Sequence, residues 1–336
     1  MTEKRKNNGP DIQDMAERIR KGNRRALARA ITLAESIRDD HQVDAQKLLG
    51  ILLPDTGNSI RIGISGTPGV GKSTFIEAFG RFLTALGKKV AVLTIDPSSK
   101  RTGGSILGDK TRMEELSRDP NAFIRPSPSS GSLGGVARRT REVMLICEAA
   151  GFDVILIETV GVGQSETTVA DMVDVFLLLL APAGGDELQG IKRGVMELAD
   201  IVVINKADGD LIPIARRAAS EYRGAISLMR PKSKNWSPKV LMTSALNKVG
   251  VDELWDTIGE YCEARSQEDE LNLQRKEQSS AWMWSELEES LVNRLKSNTH
   301  VSAKLAGMEA DVKAGKVSPT AAARELLSIF LDKQEK

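Results

Sequence analysis

Cysteine is scarce in this sequence, and its scarcity narrows the kinds of site that the chain can hold. Two of the 336 residues are cysteines, Cys147 and Cys262. They lie far apart in the sequence and belong to no spaced motif. This pattern favours a reducing compartment and argues against a cysteine metal site.

The sequence also has no excess of one charge and no long apolar run. Lys and Arg number 47, Asp and Glu number 46, and the two signs are interleaved. A nucleic-acid partner usually requires a basic patch, so none is expected. The most apolar run, residues 175–181, is far too short to span a bilayer and instead predicts a strand buried on both faces of a parallel sheet. The polar residues 2–8 do not resemble a secretory signal. We expect a soluble cytoplasmic protein without a membrane partner, or an organelle-matrix protein if a transit peptide has been removed.

A glycine-rich stretch at residues 66–73 carries the clearest chemical signal. It reads Gly-Thr-Pro-Gly-Val-Gly-Lys-Ser and matches the phosphate-binding pattern G-x-x-x-x-G-K-[ST] at every fixed position. Alternating apolar residues over 60–64 predict a strand before it, and apolar residues at helical spacing predict a helix after it. Backbone N–H groups at such a turn surround phosphate oxygens. We expect Lys72 to reach the β- and γ-phosphates and the Ser73 hydroxyl to bind Mg²⁺.

Acidic residues follow two later predicted strands. The strand at 89–95 ends in Asp96, which is well placed to reach the Mg²⁺ shell, although an Asp that caps a turn is the alternative. The polar segment 102–113 predicts a switch loop in which Asp109 is recruited to the metal, and a solvated linker is the alternative. The strand at 153–158 ends in Glu158, followed three residues later by Gly161.

This acid-x-x-Gly pattern is a second nucleotide signature. The acid acts on Mg²⁺ through water or directs the attacking water, and the Gly161 N–H can sense the γ-phosphate. Because Glu158 is longer than the aspartate of many GTPases, it can act more directly on water. Gln164 is a second candidate for orienting water. The loop after the strand at 175–181 is a third candidate switch, and its Lys192 contacts either the nucleotide, a partner or only solvent.

A further apolar strand, residues 199–204, ends in Asn205-Lys206-Ala207-Asp208, and this tetrad predicts the base. The Asp208 carboxylate can accept two parallel hydrogen bonds from guanine N1–H and the 2-amino group. Adenine lacks that amino group, so ATP would leave the carboxylate unpaired at a cost of roughly 1–3 kcal/mol or more. We expect Asn205 to tie the base loop to the phosphate loop, Lys206 to stack on the purine, and backbone N–H groups of residues 244–246 to bind guanine O6.

These patterns predict an α/β fold: a P-loop NTPase with a mostly parallel central sheet flanked by helices, plus N-terminal and C-terminal helical extensions. Residues 1–58 form the first extension, with caps at Asp11 and Asn23, a second helix reaching about Arg38 and a third over Val43 to Leu53. Residues 59–265 form the GTPase domain. Residues 266–336 form a helical dimerisation arm, with an intramolecular cap as the alternative.

Together with residues 96–99, 102–113, 158–166 and 185–192, these motifs resemble those of the methylmalonyl-CoA mutase-associated GTPases, the MeaB/ArgK type of the SIMIBI class. The resemblance covers nearly the whole chain. It implies a homodimeric, GTP- and Mg²⁺-dependent chaperone of adenosylcobalamin-dependent methylmalonyl-CoA mutase. In that family, GTP binding and hydrolysis gate cofactor delivery and guard the mutase against inactivation. Hydrolysis should be slow alone and faster with the mutase.

The resemblance also implies roles for individual residues. Those expected at GTP or GDP are Gly66, Thr67, Pro68, Gly69, Val70, Gly71, Lys72, Ser73, Thr74, Gly161, Asn205, Lys206, Asp208, Ser244, Ala245 and Leu246. Those expected at the metal are Ser73, Asp96, Asp109 and Glu158, and those expected in catalysis are Lys72, Asp109 and Glu158.

Two other functions are alternatives to this one. A nickel-inserting GTPase would need a His-rich tract or a Cys/His cluster, whereas the sequence has only His41 and His300, neither near a cysteine. An amino-acid kinase would need an acceptor pocket and a base. Nothing in the sequence singles these out, and the Asn-Lys-Ala-Asp tetrad favours guanine over adenine.

Overall fold

The computed structural model describes residues 11–95, 113–126, 133–159, 165–182 and 193–331. These residues build a seven-stranded sheet in the order β3-β2-β4-β1-β5-β6-β7. Every neighbouring pair is parallel, which confirms the predicted α/β class. The strands are β1 (Ile60–Gly66), β2 (Val90–Ile95), β3 (Ala122–Pro126), β4 (Val154–Thr159), β5 (Val175–Leu180), β6 (Ile201–Ile204) and β7 (Lys239–Met242).

The central strands are apolar on both faces because helices cover both faces of the sheet. Every residue of β2, β4 and β5 is buried. On one face, α4 (Lys72–Ala85) packs Phe75 and Phe79 against alternate residues of β1, β2 and β4. On the other face, α6 (Leu133–Ala149) packs against the intervening residues of the same sheet. Because all the strands are parallel, their carboxyl ends meet at one edge of the sheet, where ligands bind in such folds.

Three helices precede the sheet: α1 (Ile12–Arg20), α2 (Arg24–Ala34) and α3 (Asp39–Leu52). The predicted caps are present, because the Asp11 carboxylate accepts from two N–H groups of α1 and the Asn23 side chain accepts from one of α2. The apolar faces of the three helices share one buried core with α6. They therefore pack on the nucleotide-binding fold.

The predicted boundary between the second and third helices is wrong. Helix α2 ends at Ala34 rather than near Arg38, and α3 begins at Asp39 rather than Val43. The Ser36 hydroxyl accepts from Arg38 N at 3.3 Å and lies 2.9 Å from His41 Nδ1, so a polar side chain competes with the helical backbone at this point. The acidic first turn of α3 then favours a helix start at Asp39.

Eight further α-helices lie within the described residues: α5 (Glu114–Arg118), α7 (Ser165–Ala170), α8 (Arg193–Leu198), α9 (Ile212–Ser227), α10 (Val251–Ser266), α11 (Glu270–Ser297), α12 (Thr299–Lys313) and α13 (Pro319–Leu331). Two short 3-10 helices, Leu53–Asp55 and Gly209–Leu211, are also described. The sequence patterns predicted α10, α11 and α13, but not α9 or α12. Among the helices of the described ranges, none is both long and apolar enough to cross a membrane.

The chain divides into two compact units, the first ending at Gln278 and the second beginning at Ser279. In the second unit α12 and α13 pack together and bury Val301, Ala322 and Phe330. The sequence patterns divided the chain after residues 58 and 265 into an N-terminal extension, a GTPase domain and a dimerisation arm. The roles of these three segments remain predictions.

The start of α11 belongs to the first unit and is fixed to the amino end of the sheet. Arg275 Nε and one terminal nitrogen donate to Asp174 at 2.7 and 2.6 Å, and that terminal nitrogen also donates to Ser59 O at 2.7 Å. The same Asp174 carboxylate accepts from Arg61 N of β1 at 2.9 Å. This buried ion pair holds α11 to the ends of β1 and β5, at the edge opposite the phosphate loop.

Candidate nucleotide-binding site

The phosphate loop connects β1 to α4 at the carboxyl edge of the sheet, as predicted from the glycine pattern. Gly71 has φ +92°, in the left-handed region that other residues rarely adopt. At Gly66, an added Cβ would lie 2.4 Å from Leu179 O of β5, so a side chain has no room there. Gly71 supplies no side-chain cap for α4, which leaves the first N–H groups of that helix without a side-chain partner.

Lys72 folds back over this loop. Its ammonium donates to Gly66 O at 2.7 Å and to Thr67 O at 3.3 Å. Burial lowers the pKa of Lys72 from its ordinary value, and the nearby carboxylates of Glu158 and Glu166 oppose that shift. The ammonium therefore lies over the phosphate loop with two acidic side chains within electrostatic reach.

The groups that converge on this loop fit a phosphate. The buried Thr67 hydroxyl has no hydrogen-bond partner in the part of the chain that the structure describes. The uncapped start of α4 offers N–H donors, and Lys72 offers a cation. Anionic oxygens satisfy such an arrangement, in which hydrogen-bond donors lack an acceptor and the nearby positive charge contacts only neutral backbone carbonyls.

Asn205 joins the base loop to the phosphate loop, as predicted. Its side chain is buried, with 1% of the residue exposed, and Nδ2 donates to Val70 O at 2.9 Å. Its Oδ1 accepts from Ala245 N and from the Thr243 hydroxyl, both at 3.3 Å. The neighbouring Lys206 reaches the phosphate loop as well, with Nζ donating to Gly69 O at 2.7 Å. One amide thus connects three loops at the carboxyl edge.

Asp208 and Ser244 form a pair that the sequence pattern did not reveal. The Ser244 hydroxyl donates to the Asp208 carboxylate and accepts from Asn247 N at 3.1 Å. The backbone donors expected to bind guanine O6 are partly committed elsewhere, since Ser244 N donates to Val249 O at 3.0 Å and Ala245 N donates to Asn205. Leu246 lies on the same loop and is 75% exposed.

The acidic candidate on β4 lies beside the phosphate loop. Glu158 is 4% exposed, and in the sheet it aligns with Ile64 of β1 on one side and Thr94 of β2 on the other. The next residue, Thr159, donates its hydroxyl to Ser65 Oγ at 2.9 Å. These contacts fix the end of β4 against β1 and leave Glu158 on the face of the sheet that α4 covers.

Several predicted site residues lie outside the described residues, namely Asp96, Asp109, Gly161, Gln164 and Lys192. Of the four predicted metal residues, Ser73 and Glu158 are described. A hydroxyl and a carboxylate are oxygen donors of the kind that Mg²⁺ prefers. Within the described ranges, no group of three or more His, Cys, Asp or Glu side chains is arranged to hold a metal ion.

Comparison with known proteins places this site in a family. A sequence profile described as "Methylmalonyl Co-A mutase-associated GTPase MeaB" matches residues 27–300, which include all seven strands and every site residue named above. The chain belongs to the MeaB family.

Relatives of this MeaB-family chain span nearly its full length. GTPase ArgK of Escherichia coli is 48% identical over 327 residues, covering 97% of this chain and 98% of ArgK. The mitochondrial methylmalonic aciduria type A homolog of Mus musculus is 52% identical over 320 residues, covering 92% of this chain and 77% of the mouse protein. The crystal structure of an LAO/AO transport system kinase superposes with a TM-score of 0.77 at 41% identity and covers 96% of this chain and 98% of that one. The chain is thus a GTPase of a family that is linked to methylmalonyl-CoA mutase.

Proposed function

We propose that this MeaB-family GTPase is a chaperone of adenosylcobalamin-dependent methylmalonyl-CoA mutase. Binding and hydrolysis of GTP gate delivery of the cofactor to the mutase and protect or reactivate it. The observation that carries the nucleotide-dependent part of the proposal is the bond from Asn205 Nδ2 to Val70 O, which couples the base loop to the phosphate loop, and membership of the MeaB family supports the mutase as the client. A site in which base recognition and phosphate binding share one buried amide suits a nucleotide-dependent switch.

Guanine selection is assigned to Asp208. Its carboxylate has acceptor capacity beyond the single hydrogen bond from Ser244 and can take the N1–H and 2-amino donors of guanine. The Lys206 side chain extends from the base loop to the phosphate loop, where its ammonium donates to Gly69 O. ATP would leave the Asp208 acceptors unsatisfied, so the site discriminates against it.

Lys72 and Ser73 are assigned to the phosphates and Glu158 to the metal-bound or attacking water. Lys72 exchanges its two carbonyl contacts for phosphate oxygens, which are stronger partners for an ammonium. When bound, Mg²⁺ neutralises charge that develops between the β- and γ-phosphates. Ser73, Glu158, Asp96 and Asp109 would hold it. The mutase completes or reshapes this arrangement, so hydrolysis is slow without it.

Homodimerisation is assigned to the second unit. No residue of α11 is buried, and Met283, Trp284, Leu287 and Leu291 are 58%, 56%, 45% and 50% exposed. Leu287 lies three to four residues after Met283 and Trp284, and Leu291 lies four residues after Leu287, so the four side chains share one face of the helix. A second copy of the chain would cover this face. We expect Leu287→Asp to convert a dimer to a monomer by light scattering, whereas Ser285→Asp, a matched charge on the opposite face, leaves it dimeric.

An amino-acid kinase is the alternative with a specific observation behind it, because the solved structure that is 41% identical to this chain bears the name of a kinase. A chromatographic assay for a phosphorylated amino acid, run with ATP and with GTP, tests it. A phosphorylated product would replace the chaperone proposal. The nickel-inserting alternative has no such support. The two histidines lie in different units, His41 in the first and His300 in the second, so they form no His-rich tract.

The chaperone role is tested by cofactor transfer. Apo-mutase is mixed with adenosylcobalamin and the full chain in GTP, in GDP or in a non-hydrolysable GTP analogue, and mutase activity is followed over repeated turnovers. We expect loading and active lifetime to depend on the nucleotide, and Lys72→Ala to abolish that dependence. Identical time courses with and without the chain would contradict the proposal. We propose that the corrinoid stays on its partners and that the protein acts in the cytoplasm; tight corrinoid binding to the chain alone would contradict the first point.

A further inference from the structure

A buried hydroxyl without a partner lies next to Glu158. Thr94 of β2 is 1% exposed, and its Oγ1 makes no hydrogen bond within the described residues. Burying a hydroxyl without a hydrogen bond is unfavourable, and valine, with nearly the same shape, would avoid that cost. The rest of β2 is apolar, with the sequence Val-Ala-Val-Leu-Thr-Ile. The hydroxyl is therefore a polar group that the strand itself does not use.

The sheet register places this hydroxyl beside the catalytic candidate. Thr94 pairs with Glu158 in the parallel ladder between β2 and β4. Val92 and its partner Leu156 both face the core under α4, and side chains two residues apart share a face. Thr94 and Glu158 consequently lie side by side on that face. On its other side Glu158 is flanked by the apolar Ile64, so Thr94 is its polar neighbour across the sheet.

This face also carries the cation that binds phosphate. Lys72 begins α4, and the charge of Glu158 raises the pKa of its ammonium against the effect of burial, so the two groups interact electrostatically. Thr94, Glu158 and Lys72 thus belong to one partly buried polar cluster. Two of the unpartnered buried oxygens in the described residues, those of Thr67 and Thr94, border this site.

We propose that Thr94 is a positioning residue for Glu158, and that its hydroxyl gains a hydrogen bond to the Glu158 carboxylate when GTP and Mg²⁺ are bound. The inference rests on the proposed function, because it needs Glu158 to act in the nucleotide–metal complex. A threonine donor beside a carboxylate restricts its orientation and stabilises its ionised form. In the nucleotide-free protein the same hydroxyl is a local cost.

The proposal predicts effects of opposite sign in two states. Thr94→Val removes the unpartnered hydroxyl, so the nucleotide-free chain should unfold in urea at an equal or higher midpoint. In the wild type we expect Mg²⁺ to raise the affinity for a GTP analogue. In the same variant this increase should be about five- to tenfold smaller, as expected for one lost hydrogen bond. Affinity measured in EDTA should be unchanged. Thr94→Ser keeps the hydroxyl but loses a buried methyl group, so it should be less stable yet retain the Mg²⁺ effect within about twofold.

A threonine with a satisfied hydroxyl provides the control. Thr84 is 7% exposed, its Oγ1 donates to Arg81 O at 3.1 Å, and it lies at the far end of α4, roughly 16 Å along the helix from Ser73. Thr84→Val should lower the urea midpoint and leave the Mg²⁺ effect intact.

Titrations of a fluorescent GTP analogue into the full-length protein, with Mg²⁺ and with EDTA, decide the question. A Thr94→Val variant with the wild-type Mg²⁺ effect, an equal loss in EDTA, or a failure of Thr94→Ser to restore the effect would each overturn the inference. If the wild-type protein itself shows no Mg²⁺ effect, the metal assignment in the proposed function fails and the inference fails with it. If the wild-type protein shows the Mg²⁺ effect and Thr94→Val shows the same effect, the inference about Thr94 is rejected and the proposed function is not.

Discussion

Replacing Asn205 with alanine should uncouple the base loop from the phosphate loop. The amide makes three hydrogen bonds: Nδ2 to Val70 O at 2.9 Å, and Oδ1 from Ala245 N and from Thr243 Oγ1, both at 3.3 Å. The residue is 1% exposed, so water cannot readily replace these bonds. At about 0.5–1.5 kcal/mol for each net hydrogen bond, the loss of stability for the three bonds is about 1.5–4.5 kcal/mol.

The same change should weaken nucleotide binding. Without the amide, Val70 O and Ala245 N lose the partner that holds the phosphate and base loops at a fixed separation. GTP and GDP would then have to order these loops on binding, and we expect their affinities to fall by about tenfold or more, which corresponds to about 1.4 kcal/mol or more. Urea unfolding of the nucleotide-free protein measures the first effect, and calorimetric titration of GDP measures the second.

A matched control separates stability from binding. The side-chain amide of Asn235 also donates one hydrogen bond, to Glu270 Oε1 at 2.9 Å, and this bond joins its segment to the start of α11. Asn235→Ala should cost about 1 kcal/mol of stability and leave GDP affinity unchanged. If Asn205→Ala binds GDP as tightly as the wild type, or if Asn235→Ala weakens binding equally, then Asn205 does not couple the two loops.

Three further substitutions test other parts of the site and fold. Asp208→Asn replaces two acceptors by one acceptor and an amide donor, so GTP affinity should fall about 100-fold or more while xanthosine triphosphate, which has a carbonyl in place of the 2-amino group, becomes the better ligand by titration. Lys72→Ala should abolish tight GTP binding yet leave the free energy of unfolding in urea within about 1 kcal/mol of wild type, because the partly buried ammonium of the nucleotide-free protein contacts only two carbonyls. Arg275→Met leaves the buried Asp174 carboxylate without its guanidinium and should cost about 3–5 kcal/mol of stability with no effect on GDP affinity, since the pair lies at the opposite edge of the sheet. Loss of GDP binding in Arg275→Met at temperatures where it is folded would contradict that separation.

The fold could be predicted from the sequence wherever a short-range pattern determined it. Apolar runs fixed the positions of β2, β4, β5 and β6, since strands buried on both faces have no polar side to alternate. The glycine loop and the Asn-Lys-Ala-Asp tetrad likewise identified the two loops that Asn205 joins. These signals are local, and neighbouring residues alone are enough to recognise them.

What the sequence could not reveal depends on contacts between distant residues. The break between α2 and α3 was missed because Ile37 continues the apolar spacing, although in the structure this residue is 73% exposed. The Ser244–Asp208 bond joins residues 36 positions apart, and Arg275 meets Asp174 across 101 positions. No spacing rule connects such pairs before the sheet order is known.

The unpartnered hydroxyl of Thr94 illustrates the same limit. In the sequence Thr94 is an ordinary strand residue, because threonine is common in strands. Its significance comes from the register that places it beside Glu158 and from the absence of a hydrogen-bond partner in the described residues.

The central proposal is tested most directly by GTP hydrolysis, measured for the purified chain with and without adenosylcobalamin-dependent methylmalonyl-CoA mutase, with ATP in parallel. We expect slow turnover of GTP, no comparable turnover of ATP, and a sharp rise of the GTP rate when the mutase is added. A GTP rate that does not respond to the mutase would contradict the chaperone role, and equal turnover of ATP and GTP would contradict the role assigned to Asp208.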